Sequence, residues 1–135
     1  MSHYTVLTTR ISDPHYLAEA IAEMGYEEVE VYDQAQPLID YCGEETKQEA
    51  EVIVRRRHLG LFSNDIGFHR QYNGTMNAII SDYDRNKHNQ GWMQELTRRY
   101  AYQAARGKLE AQGFDLTHEQ RDEQGRIHLV LRRTV

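Results

Sequence analysis

Two stretches of this chain end alike: Glu23-Met24-Gly25-Tyr26-Glu27 and Ala111-Gln112-Gly113-Phe114-Asp115. Each closes an Ala/Glu-rich helical pattern and leads into a strand-like segment. A glycine past the last helical turn can take the left-handed conformation that ends a helix. Used twice with a following aromatic, this stop predicts two strand–helix–strand units packed on one sheet.

The rest of the chain fits that frame. Tyr4 to Ile11 alternates apolar and polar residues and reads as a strand. Ser12-Asp13-Pro14 starts a helix, with Asp13 as cap and Pro14 in the first turn. Leu17, Ile21 and Met24, with Ala18 and Ala20, form its buried stripe. Glu28 to Tyr32 alternates as a second strand, and Pro37 to Gly43 is a loop or short edge strand. Glu51 to Arg57 is a strand. Asp65 to Tyr72 and Thr75 to Tyr83 form a hairpin across Asn73-Gly74, and 84–91 is a polar loop.

A second helix begins at Gly91 or Trp92. Met93, Leu96, Tyr100, Ala104 and Gly107 carry its stripe, widened by Ala101 and Ala105. Phe114 to Arg121 and Arg126 to Arg133 then pair across 122–125. Leu116 is expected opposite Leu131, His118 opposite Leu129, and Glu119 opposite His128. The predicted class is α+β: a mainly antiparallel sheet with both helices on one face, ferredoxin-like in spirit. Leu17, Ile21, Leu96 and Tyr100 should share one core with Leu7 or Val6 and with Leu129.

At 135 residues the chain has the size of a single domain, 1–135, able to bury about two thirds of its unfolded surface. With Cys42 as the lone cysteine, no intrachain disulfide can form, which fits a reducing compartment. No apolar run reaches the length of a membrane span, and residues 1–11 alternate instead of forming a signal-peptide core. The expectation is a soluble protein of the cytoplasm or plastid stroma. Tyrosine is frequent, with 9 against 3 Phe and 1 Trp. Hydroxyl-bearing rings need polar partners, so some of them should line a surface.

The net charge of −5, from 21 acidic and 16 basic residues, argues against a general nucleic-acid binder, whose affinity comes largely from neutralised phosphates. The charge is uneven, however. Arginine clusters at 55–57, 98–99 and 132–133. Arg98, Arg99, Tyr102 and Arg106 occupy adjoining sectors of the second helix. Such a face can grip phosphate, stack on bases or hold an acidic partner, or it can be a solvated surface neutralised by Glu95 and Glu110.

Other constellations carry less chemistry. Asp82, Asp84 and His88 offer oxygen and nitrogen donors suited to Mn, Fe or Zn, but polar loops before helices collect Asp and His in any case. Asp65 and His69 share a strand face, yet their spacing is too long for a direct hydrogen bond along an extended chain. Ser63 and Ser81 lack a nucleophile-elbow pattern. Carboxylates flank Cys42 and disfavour a reactive thiolate. No Walker loop, dinucleotide glycine pattern or Cys/His zinc spacing specifies a cofactor.

The stretches Met1-Ser2-His3-Tyr4-Thr5, Tyr41-Cys42-Gly43, Glu51-Val52-Ile53-Val54-Arg55 and Asp65-Ile66-Gly67-Phe68 occur in this order. They are followed by Thr97-Arg98-Arg99-Tyr100-Ala101-Tyr102 and by the ending from Gly113-Phe114 to Arg132-Arg133. Together they resemble the hypothetical chloroplast reading frame family of plastids and cyanobacteria, domain-of-unknown-function twelve fifty-seven. The chain departs from that pattern around 58–64 and in the 84–91 loop. The resemblance implies a small soluble protein, accessory to an ATPase-containing complex.

The functional expectation is a non-enzymatic binding or adaptor domain that holds a protein partner through Arg98, Arg99, Tyr102 and Arg106, helped by the strand 65–68. A small metal-dependent hydrolase built on Asp82, Asp84 and His88, and an RNA-binding accessory using the Arg/Tyr face, are the alternatives.

Overall fold

A computed structural model describes residues 3–121, 123–124 and 126–133, with the backbone alone described for 115–121 and 127–133. In chain order the elements are β1 (Tyr4–Thr8), α1 (Pro14–Glu23), β2 (Glu30–Ile39), β3 (Glu45–Val54), β4 (Ile66–Arg70) and β5 (Met76–Ser81). They are followed by α2 (Gln90–Ala111), β6 (Phe114–Arg121) and β7 (Ile127–Arg133). The first five strands form one antiparallel sheet in the order β1-β5-β4-β3-β2. The fold class is α+β. α1 links β1 and β2, the two edge strands, across one face of the sheet.

Both helices begin and end as their sequences dictate. The Asp13 carboxylate accepts from the backbone N–H of His15 at 2.8 Å and of Tyr16 at 3.4 Å, with Pro14 at the first helical position. The Asn89 side chain caps α2 by accepting from Trp92 N–H at 3.1 Å. Gly25 and Gly113 have φ of 103° and 89°, and their N–H groups donate to Ala22 and Glu110 carbonyls, both at 3.0 Å. The doubled helix stop is therefore one geometry used twice.

One core lies between the helices and the sheet. Leu17, Ala20 and Ile21 of α1 and Leu96 of α2 pack with Val52, Val54, Ile66, Phe68, Met76, Ala78 and Ile80. Leu7, Met93 and Tyr100 pack against its margin, whereas Val6 is half exposed. The two helices thus share one sheet face. Ala101 and Ala105 are exposed, so the α2 stripe is narrower than its spacing suggested. The position of Leu129 in this core lies outside the described side chains.

The far face is partly closed by the sheet itself. Leu38, Ala50, Ile53 and Ile79 form a second cluster with Tyr4 and Tyr32 at its edge. The register between β2 and β3 slips between Val31 and Gln36 and again between Pro37 and Ile39, and such bulges bend a strand. Leu38 reaches across Ala50 to β4, where a Cβ on Gly67 would sit 2.8 Å from a Leu38 methyl and 2.7 Å from Ala50 Cβ. Only glycine admits that approach.

Several expectations are corrected. β2 runs through Pro37, which the outer edge tolerates, and β3 begins at Glu45 instead of Glu51. β6 and β7 form a separate two-stranded sheet. The 22-residue α2 extends about 33 Å at 1.5 Å per residue, enough to carry β6 well past a five- or six-residue strand. Within this hairpin Leu116 does face Leu131, but a bulge at Thr117 puts His118 opposite Val130 and Glu119 opposite Leu129.

Candidate functional site

The most concentrated chemistry lies where the β3–β4 loop meets the segment after β5. The Asp65 side chain is fully buried. Its Oδ2 accepts from Ile39 N–H and from Arg55 Nη1, each at 2.8 Å, and its Oδ1 accepts from Arg56 N–H at 2.7 Å. Burial would lower the Arg55 pKa, but hydrogen bonds to Asp65, Tyr32 and Glu30 outweigh it and hold the guanidinium charged. Arg56 points the other way and donates to three carbonyls: Ser63 at 3.0 Å, Tyr41 at 2.9 Å and Leu61 at 3.1 Å.

Asp84 anchors the opposite side. Its Oδ2 accepts from Ser81 Oγ at 2.6 Å, from Asn64 N–H at 2.9 Å and from Asn64 Nδ2 at 3.3 Å. Ser81, Asn64 and Asp84 are all buried. The Ser81 hydroxyl is taken up by this network: it donates to Asp84 and accepts from Asn64 Nδ2 at 2.9 Å. Charge-assisted and buried, these bonds fasten two loops together.

The three metal candidates are drawn apart by this arrangement. Asp84 is committed to Asn64 and Ser81. The Asp82 carboxylate accepts from Thr5 Oγ1 at 2.8 Å. His88 is buried beneath Trp92, with ring centroids 4.8 Å apart, and its Nε2 meets the Tyr26 hydroxyl at 2.5 Å. Burial pushes the Tyr26 pKa up and the His88 pKa down. Both groups are thereby held in their neutral forms across this short hydrogen bond. Among the described residues no three His, Cys, Asp or Glu side chains converge on a metal position. Asp65 and His69 are likewise separate, since His69 Nδ1 lies 2.9 Å from Glu51.

The arginine–tyrosine helix face divides in two. Arg98, Tyr102 and Arg106 are spaced four apart and form one ridge. Arg99 leaves that ridge, pairing with Glu95 at 3.0 Å and with Glu23 of α1 at 3.3 Å. It contributes to holding the helices together. Arg98 pairs with Glu95 at 2.9 Å, and Arg106 with Glu110 at 2.8 Å and the Tyr102 hydroxyl at 3.5 Å.

Arg98 also stands in the wall of an open groove of about 540 Å³ between β1 and α2. Leu7, Thr8 and Thr9 form one side, Met93 and Thr97 the other, and Arg85 adds a second cation. β1 is an edge strand with β5 as its neighbour, so its outer rim carries main-chain groups available for pairing. Sequence reading missed Arg85, because it lies in a polar loop that folding brings up against β1. The 55–57 arginine cluster was visible, but the roles of Arg55 and Arg56, and Asn64 altogether, were not, because their partners are set by how the loops fold.

The family model described as protein of unknown function (DUF1257) matches residues 20–130. The chain belongs to this family. It is also similar to the protein titled "Uncharacterized protein ycf35" of Pyropia yezoensis, 22% identical over 136 residues covering 98% of each chain. No solved structure matches. The DUF1257 match opens within α1 and closes within β7, so it spans the fastened loops and the α2 wall of the groove and leaves β1 outside. Among the described residues no helix is long and apolar enough to cross a membrane.

Proposed function

We propose that this DUF1257 chain is a non-enzymatic binding domain that seats an acidic, extended protein segment in the β1–α2 groove. One observation carries the reading: an unpaired sheet edge and a helix enclose a groove whose walls hold Arg85 and Arg98. A strand laid along β1 would gain main-chain hydrogen bonds, which are sequence-tolerant, and the two guanidinium groups would select carboxylates. The ridge through Tyr102 and Arg106 would extend the contact, while Arg99 supports the helix pair behind it.

An accessory role beside an ATPase-containing complex, in the cytoplasm or plastid stroma, is consistent with this reading. The buried Ser81, Asp84 and His88 speak for scaffolding in place of hydrolysis, and the overall negative charge favours a protein partner over RNA. The test is capture of partners from the native cell with a tagged chain, read by mass spectrometry, beside an Arg85→Glu/Arg98→Glu variant. The expected result is a protein with an acidic segment that the variant fails to retain. Equal retention by both chains would remove the groove from the account.

A further inference from the structure

A second open cavity lies at the fastened loops. Tyr41, Phe62, Tyr83 and Asp82 line about 310 Å³, with Asn64 and Ser81 among its further lining residues. The rings come from three connections: the β2–β3 turn, the β3–β4 loop and the segment after β5. Folding leaves them in water, at 43% exposed for Tyr41, 62% for Phe62 and 55% for Tyr83. Leu61, next in the chain to Phe62, is 79% exposed and lines a separate hollow with Arg56 and Arg57.

The rings are exposed, yet the backbone that carries them is fixed. Tyr41 N–H donates to Asn64 Oδ1 at 2.8 Å, and Tyr41 C=O accepts from Arg56. The carbonyls on either side of Phe62, those of Leu61 and Ser63, accept from the same guanidinium. Tyr83 sits between Asp82, whose N–H donates to His3 C=O at 2.8 Å, and the buried Asp84. A rigid frame lowers the conformational cost of binding at the tips it presents. Arg56 is turned toward carbonyls, and the side chains of ionisable type lining this cavity are the Asp82 carboxylate and the His3 imidazole, with Asp40 and Glu44 flanking the Tyr41 turn.

Aromatic faces carry negative charge density and attract an alkylammonium ion, more so beside a carboxylate. We infer that this cavity receives the ammonium head of a lysine side chain from a partner protein. The cavity is open and its three rings stand exposed at the surface, which suits a side chain projecting from a protein surface better than a free amine.

The test is an NMR titration of the full chain, following the ring signals of Tyr41, Phe62 and Tyr83. The probes are a blocked lysine tripeptide, its norleucine analogue and tetramethylammonium. The three rings should shift together and saturate with the lysine peptide, with little response to norleucine. Phe62→Ala and Asp82→Asn should each weaken the lysine peptide about tenfold, the scale of a lost cation–π contact or carboxylate. Phe62 is exposed, so its variant should melt with wild type and keeps the test decisive even if Asp82→Asn disturbs the Thr5 contact. An equal norleucine response, or none to lysine, would overturn the inference. Tetramethylammonium binding as tightly as the peptide would overturn the assignment to a protein side chain.

Discussion

The hydroxyl of Ser81 donates a 2.6 Å hydrogen bond to the carboxylate of Asp84, and neither residue is more than 3% exposed. A serine so placed has its hydroxyl committed to a structural bond. Its role is to complete the acceptor capacity of a carboxylate that also holds the Asn64 backbone and side chain. Replacing Asp84 with Ala would remove the acceptor shared by the Ser81 hydroxyl and the Asn64 N–H, while Asn64 Nδ2 keeps Ser81 Oγ at 2.9 Å. The expected loss is on the order of 3 kcal/mol, seen as a lower urea midpoint with an unchanged slope. An unaltered midpoint would show that the two loops are held some other way.

Gly67 makes a separate prediction on the far sheet face. A methyl there meets Ala50 Cβ at 2.7 Å and Leu38 at 2.8 Å, and such overpacking costs about 1–3 kcal/mol. Because the same atoms are involved, Gly67→Ala combined with Leu38→Ala should destabilise by less than the sum of the single changes. Denaturation of the four chains of this cycle provides the measurement, and strict additivity would place Leu38 elsewhere.

His88 predicts a pH dependence. Burial lowers its pKa below the ordinary 6.5, against the opposing pull of Asp84 and with help from Lys87. The unfolded chain therefore takes up the proton at higher pH than the folded chain does. The contribution to stability is complete above about 6.5 and is lost as pH falls toward the lower folded value. Unfolding free energies of wild type at pH 7.5 and 5.5 should differ by more than those of His88→Gln. Identical differences would mean the imidazole is accessible to protons in the folded state.

How much of this was legible in the sequence follows from where the signals lie. The helices were legible because Asp13, Pro14, Gly25 and Gly113 act on their own neighbours, and a cap or stop needs no knowledge of the rest of the fold. The first half of β3 was not, because 45–49 is polar on both faces and pairs with an edge strand by main-chain bonds. β6 and β7 looked like sheet members since a strand pattern does not say which sheet it joins. Among the candidate residues, the Arg98–Tyr102–Arg106 ridge could be read from helical spacing. The groove it borders could not, since Arg85 and β1 are brought there by the β1–β5 pairing. Asp65 and His69 could be told apart from their spacing along the strand, but the actual partners of Asp65, Ile39 and Arg55, depend on the sheet order.

The central claim is that Arg85 and Arg98 hold an acidic segment along β1. The most direct measurement is the affinity of the captured partner for wild type and for Arg85→Glu/Arg98→Glu, by calorimetry at low and physiological salt. Arg98 is exposed and its pair with Glu95 contributes at most about 1 kcal/mol, while the half-buried Arg85 gives up one bond to the His88 carbonyl, also about 1 kcal/mol, so the variant should fold and melt within a few degrees of wild type. The account predicts an affinity at least about tenfold weaker for the variant, and a wild-type affinity that falls as salt rises. Equal affinities for the two chains, with salt having no effect, would contradict it.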